Sequence, residues 1–205
     1  MYKKIFLTFV CLFLFVSDSF SQVIIQEKDR TKNISEFRDG KHQGFCSFAC
    51  LQTLGRHNKI TELYDVLEKR AKESDYRHWD GTQWVDEPYV AVKNDNKIEK
   101  TERNIGTNWG IYTKLQSLGV KFYFQPDGDS DLTIIKYAIK NKMGCMVAMH
   151  KNAFFKDSEC HEIIILDLND QEVEILDPNH IKSSIKKPRS WFNHYWTGRC
   201  FAVYK

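Results

Sequence analysis

Cys46 follows Gly44 and Phe45 and opens a helical pattern, a place where unsatisfied backbone N–H groups and the positive end of the helix dipole stabilise a thiolate and lower its pKa. That is an address for a nucleophile. His161 precedes the strongly apolar run Ile163-Ile164-Ile165-Leu166, so its imidazole would stand at the start of a rigid strand. From there it could accept a thiol proton and, once charged, hold the thiolate. Asp177 closes the next apolar run and is stiffened by Pro178. A carboxylate there could orient the ring of His161 from a neighbouring strand, and Asn179 is a second candidate for the same task. Gln43, three residues before Cys46, offers a side-chain amide that could donate to a developing oxyanion beside the backbone N–H of Cys46.

Each of these residues also has a purely structural explanation. Cys46 and Cys50, one helical turn apart, could be small core residues or disulfide partners of Cys145 and Cys200. An Asp-Pro pair often does no more than end a strand. The other histidines, His42, His57, His78, His150, His180 and His194, fall in loops or at the ends of elements, where a surface role is the commoner one. Cys46 and Cys50 with His57, or Cys145 with Cys160 and His161, make loose sets of metal ligands. Compact C-x2-C or H-x3-H pairs and an HExxH helix are missing, so no metal is expected, nor any other cofactor. Glycine-rich phosphate loops and a GxSxG elbow are missing too.

The elements that must position these side chains follow from periodicity. From Gln22 to Gly44 the chain is polar and aperiodic and reads as an extended leader delivering residues 42 to 45 to the first helix. Phe48, Leu51 and Leu54, then Ile60, Leu63, Val66 and Leu67, recur at three- and four-residue spacing. They predict helices over 46 to 57 and 61 to 73, separated at Gly55 and Asn58. Residues 74 to 108 read as a loop-rich insertion with room for a short hairpin. A helix capped by Asn108 and ending at Gly119 leads to a strand over 120 to 124. A second helix over 132 to 142, capped by Asp129 or Ser130 and ended by Gly144, leads to a strand over 145 to 149. Residues 161 to 168 and 172 to 176 form an antiparallel hairpin about Asn169 and Asp170. A helix over 188 to 196 with a first-turn proline and a last strand over 199 to 204 complete the chain. Helices first and antiparallel strands later indicate an α+β domain without internal repeats. The late core strands should bring Cys145 and Cys200 onto neighbouring strands.

Composition narrows the function classes. The chain has 205 residues, 42% of them apolar and 14% aromatic, enough for one domain with a full core. Thirty Lys and Arg against 27 Asp and Glu leave a net charge of +3. The charges are interspersed, so no basic face argues for a nucleic-acid partner. Residues 1 to 21 begin with Lys3 and Lys4, run apolar from Ile5 to Val16 and end in Ser17-Asp18-Ser19-Phe20-Ser21. That is the plan of a cleavable signal peptide, with cleavage expected after Ser21. The apolar run is shorter than the roughly 20 residues a membrane span needs, so no anchor is expected after cleavage and the mature domain, 22 to 205, should be secreted or periplasmic. It would keep Cys46, Cys50, Cys145, Cys160 and Cys200, an odd set in an oxidising compartment, so at least one thiol should stay free in a monomer.

Taken in order, Gln43-Gly44-Phe45-Cys46-Ser47-Phe48-Ala49-Cys50-Leu51, His161-Glu162-Ile163-Ile164-Ile165 and Ile175-Leu176-Asp177-Pro178 resemble a papain-like cysteine peptidase. Within that superfamily they look most like the bacteriocin-processing peptidases that act on double-glycine leaders, over residues 40 to 204. In that group a Cys-Gly-Pro-Ala-Ser-Leu type helix start precedes a His that begins an apolar strand and an Asp-Pro that ends the next. Gly106-Thr107, the Leu118-Gly119-Val120 turn and the Trp191 to Trp196 helix match less specific landmarks. The resemblance implies N-terminal helices carrying the nucleophile, packed on a C-terminal antiparallel sheet. It also implies Cys46 as nucleophile, His161 as base and Asp177 as the orienting third member. Two features depart from it: Ser47-Phe48 stands where the group has Gly-Pro, and its glutamine normally sits about six residues before the cysteine. Papain itself reads Gln-Gly-x-Cys-x-x-Cys with the second cysteine as nucleophile, which keeps Cys50 as the alternative.

The expectation is an exported hydrolase acting on a peptide or protein substrate through an acyl-enzyme at Cys46, with the oxyanion held by the Cys46 amide and Gln43. A binding protein that keeps the shell without turnover, its helix cysteines oxidised, is the alternative from another class. An acyl transferase using the same intermediate is a third.

Overall fold

The structure, a computed structural model, describes residues 22–33, 35–38, 41–72, 77–79, 84–86, 91–94, 97–100, 115–150, 153–154 and 160–204. The signal-peptide reading of residues 1 to 21, its cleavage point after Ser21 included, and the Asn108 cap lie outside the described residues. No helix among the described residues is long and apolar enough to cross a membrane.

Helices come first and an antiparallel sheet follows, so the domain is α+β as its pattern predicts. Helix α1, Cys46–Asn58, buries every residue from Cys46 to Gly55. It stops where Lys59 turns left-handed at φ 58° and returns its N–H to the carbonyls of Arg56 and Gly55, closing acceptors that a helix end otherwise leaves open. The second helix starts later than its periodicity suggests. Thr61–Leu63 forms a 3-10 turn, and α2 spans Val66–Lys72. The buried amide of Gln52 explains the later start, because its Oε1 accepts the Leu67 N–H at 2.9 Å and its Nε2 donates to Glu68 Oε1 at 3.0 Å. A side chain of α1 thus supplies hydrogen bonds to the first turn of α2.

Six strands make the main sheet: β7 Lys121–Gln125, β8 Cys145–His150, β9 Cys160–Leu168, β10 Glu172–Leu176, β11 Ile185–Pro188 and β12 Trp196–Tyr204. Their order is β11-β10-β9-β8-β12-β7, with every neighbouring pair antiparallel. The predicted hairpin of residues 161 to 176 is present as β9 and β10. Cys145 on β8 and Cys200 on β12 do lie on neighbouring strands, both fully buried.

Helix α3, Thr133–Lys140, packs on the sheet through Ile135, Ala138 and Ile139. Its cap differs from the expected pair: Asp131 Oδ1 accepts from both the backbone N–H and the hydroxyl of Thr133, at 2.9 and 2.7 Å. Asp129 instead braces Asp131. Helix α4 spans Arg189–Tyr195, after Pro188 rather than from it. Four short antiparallel pairings, three outside the main sheet and one at its edge, escaped the sequence reading in whole or part. They are β1 Ser35–Arg38 with β2 Lys41–Gly44, β3 Arg77–Trp79 with β4 Trp84–Asp86, β5 Ala91–Asn94 with β6 Lys97–Lys100, and β11 with β10.

The leader is tied down between Val23 and Asn33. Val23 donates to Leu166 O at 2.9 Å, and Val23 and Ile25 join the core. The Thr31 amide donates to Thr53 Oγ1 on α1. Asn33 then links three places at once: its Oδ1 accepts the Phe45 N–H, its Nδ2 donates to Asn179 Oδ1, and its backbone N–H donates to Pro178 O. The start of α1 is thereby fastened to the turn that leaves β10.

Candidate active site

His161 and Asp177 meet in this frame. His161 Nε2 lies 2.9 Å from Asp177 Oδ1, and both residues are buried. The Asn179 backbone N–H donates to the same Oδ1 at 2.8 Å. Asp177 is therefore the residue that holds the ring, while the Asn179 side chain serves Asn33. Burial works to raise the pKa of Asp177, but the hydrogen bond and charge of His161 and the Asn179 amide outweigh it and hold the carboxyl below its ordinary range. An ionised carboxylate can only accept, so Nε2 carries the hydrogen in this pair. On the ring's flank Phe154 packs edge-on at 4.9 Å between centroids, and Trp191 of α4 packs edge-on against Phe154 at 5.5 Å.

Cys46 is the first residue of α1, as predicted, and it is buried. Its surroundings reverse the expected pKa. Burial first, then the charge of Glu162, push the thiol well above the ordinary cysteine value. Its sulfur lies 2.9 Å from Glu162 Oε2, and Glu162 is the residue next along β9 from His161. Cys50, one turn further on, is completely buried and donates its thiol to the Glu162 backbone carbonyl at 3.5 Å. Its thiol is also pushed up, by burial and by the charges of Glu162 and Asp177.

Glu162 went unnoticed in the sequence because it belongs to no spacing motif. Its partner is 37 residues away: Arg199 on β12 donates Nη2 to Glu162 Oε1 at 3.3 Å. The same guanidinium reaches Cys160 Sγ at 3.3 Å and pairs with Asp127 Oδ2 at 3.5 Å. Burial raises the Glu162 carboxyl above its ordinary range, against the opposing effects of Arg199, Cys46 and His161. The only hint in the sequence was a glutamate interrupting an otherwise apolar strand.

Gln43 lies on β2, paired with Glu36 and two residues ahead of Phe45; the aim of its side chain lies outside the described residues. Ser47, where the resembled group has glycine, is buried, and its hydroxyl has no hydrogen-bond partner among the described residues. Cys46, Cys50, Cys145, Cys160 and Cys200 are all unbridged thiols. Among the described residues no three His, Cys, Asp or Glu side chains gather to hold a metal ion.

No protein-family model matches the chain, and no curated protein sequence does. Among solved structures it is similar to the crystal structure of a double glycine motif protease from an AMS/PCAT transporter in complex with the leader peptide. The similarity has 15% sequence identity and a TM-score of 0.45, and covers 85% of this chain and 92% of that one.

Proposed function

We propose that the protein is an exported papain-like cysteine hydrolase that cleaves amide bonds of a peptide or protein substrate through a Cys46–His161–Asp177 triad. The observation that carries this reading is the buried hydrogen bond from His161 to Asp177, formed one residue along β9 from the contact that receives the Cys46 thiol. An imidazole fixed by a carboxylate through Nε2 keeps Nδ1 as the atom that would exchange protons in the reaction.

In that mechanism the S–H bond of Cys46 breaks, its proton passes to His161 Nδ1, and the sulfur attacks the scissile carbonyl. The oxyanion is held by backbone N–H groups at the start of α1, with Gln43 as the side-chain donor. The imidazolium returns its proton to the leaving amine as the C–N bond breaks. Water, deprotonated by the same ring, then releases the acyl group and restores the thiol. Asp177 stays ionised throughout and stabilises the imidazolium.

Labelling by a peptidyl epoxide, located by mass spectrometry of the mature protein, tests this. The expected adduct is on Cys46, retained in Cys50→Ala, absent in Cys46→Ala and strongly slowed in His161→Gln. Equal labelling in Cys46→Ala, or an adduct on Cys50, overturns it. Export is tested by N-terminal sequencing of protein made with residues 1 to 21 attached: a mature chain starting at Gln22 supports it, and an uncleaved chain kept inside the cell overturns it.

A second reading draws support from the masking of the Cys46 thiol by burial and Glu162: a binding protein on the same shell that never turns over. It predicts tight binding of a peptide that is recovered uncut and no adduct on Cys46 under any condition.

A further inference from the structure

We propose that Glu162 is a positioning residue that regulates the nucleophile, holding the Cys46 thiol protonated at rest, with Arg199 as the counter-ion that lets its carboxylate stay buried. The proposal deepens the reading of Cys46 as the nucleophile and rests on it. Its basis is a continuous chain of contacts: Cys46 Sγ to Glu162 Oε2 at 2.9 Å, Glu162 Oε1 to Arg199 Nη2 at 3.3 Å, and Arg199 Nη1 to Asp127 Oδ2 at 3.5 Å. The first three residues are buried and Asp127 is largely exposed, so the chain runs from the sulfur to the surface.

A buried carboxylate is kept only where it is paired, and Glu162 spends one oxygen on Arg199 and the other on the thiol. That second contact has a chemical consequence. A carboxylate accepts hydrogen bonds and repels a thiolate, so it holds the S–H bond intact and lowers the share of the reactive form. Among the described residues, the charged or titratable groups facing this pair are Cys50 from α1, Arg199 from β12, Asp127 from the turn after β7, and Cys160 and His161 from β9 itself. Asp177, beyond β10, acts on Cys50. Arg199 is the one permanent cation among them, and it bonds to Glu162. Transfer of the thiol proton to His161 therefore requires the S–H of Cys46 to turn away from Glu162.

The test is the pH dependence of iodoacetamide labelling of Cys46, read peptide by peptide in the wild type, Glu162→Gln and the double variant Glu162→Gln/Arg199→Gln, with peptide hydrolysis measured on the same samples. The wild-type midpoint should lie above that of an ordinary cysteine. Glu162→Gln should lower it by about one pH unit or more, roughly a tenfold gain in thiolate below both midpoints. The double variant, which leaves no unpaired buried cation, should fall between the two and keeps the test usable if the single variant does not fold. A midpoint unchanged or raised in the folded variants, or a wild-type midpoint at or below that of an ordinary cysteine, overturns the proposal. Shifted midpoints without hydrolysis in any sample sink the hydrolase reading and leave Glu162's control of the thiol standing. Hydrolysis with unshifted midpoints does the reverse.

Discussion

Nε2 of His161 and Oδ1 of Asp177 meet at 2.9 Å just past the last residues that pair β9 with β10, Ile164 and Leu176. The ladder thus delivers an imidazole and a carboxylate to the same end of two adjacent strands, and Asn33 fastens the start of α1 to the turn that follows. Cys46, which touches Glu162, and Asp177, which touches His161, thereby meet neighbouring residues of β9.

Asp177→Asn should keep the fold near neutral pH and reduce any turnover by about a hundredfold or more, since the ring loses its charged orienter. The stability difference should depend on pH with a definite sign. The folded carboxyl ionises more readily than the unfolded one, so its contribution is complete above the unfolded value of about 4 and is lost as pH falls through the folded value. Thermal melts of wild type and Asp177→Asn should converge on acidification. A gap that widens toward acid would contradict the pairing.

Glu162 should behave in the opposite sense. Its folded carboxyl is harder to ionise than the unfolded one, so its contribution is greatest below the unfolded value and declines as pH rises through the folded value. Glu162→Gln should gain in melting temperature relative to wild type between mildly acidic and neutral pH. A relative loss over that window would mean that Arg199 over-compensates the burial.

The hairpin of β9 and β10 was legible because a run such as Ile163-Ile164-Ile165-Leu166, broken by Asn169-Asp170, has few alternatives, and it carried His161 and Asp177 with it. The start of α1 was legible from the spacing of Phe48, Leu51 and Leu54. Glu162 and Arg199 were not, because a buried ion pair across 37 residues leaves no periodic trace. The same holds for Gln52 starting α2 and Asn33 fastening α1: a polar side chain satisfying a distant backbone amide looks, in sequence, like any other polar residue. The Cys46 environment failed for a related reason. The helix-start argument is local, whereas burial against β9 and the Glu162 charge are tertiary and opposite in sign.

Gly55 offers a test of the packing that holds α1 in place. In an exposed helix, glycine to alanine gains about 1 kcal/mol. Here a Cβ would collide with the Leu63 Cβ and stand 3.3 Å from Ile60 O, with the backbone of the 3-10 turn unable to give way cheaply. Gly55→Ala should therefore destabilise by about 1–3 kcal/mol, read by urea denaturation, and should loosen the approach of the 3-10 turn to α1. A gain in stability would show that α1 and the turn are not in this contact.

Ser47 is the converse case, a polar atom next to Cys46 that the fold leaves without a partner among the described residues. A buried hydroxyl forgoes its bonds to water, a cost of about 1–3 kcal/mol when nothing in the protein replaces them, and serine is also a weaker helix former than alanine. Ser47→Ala removes the unpaired group without opening a large cavity, so its melting temperature should equal or exceed that of the wild type. The gain should persist in Glu162→Gln, since the Ser47 hydroxyl takes no part in the chain from Cys46 to Arg199. A clear loss of stability in Ser47→Ala would require that the hydroxyl be bonded in the folded protein, and with it a different packing of the first turn of α1 against β9.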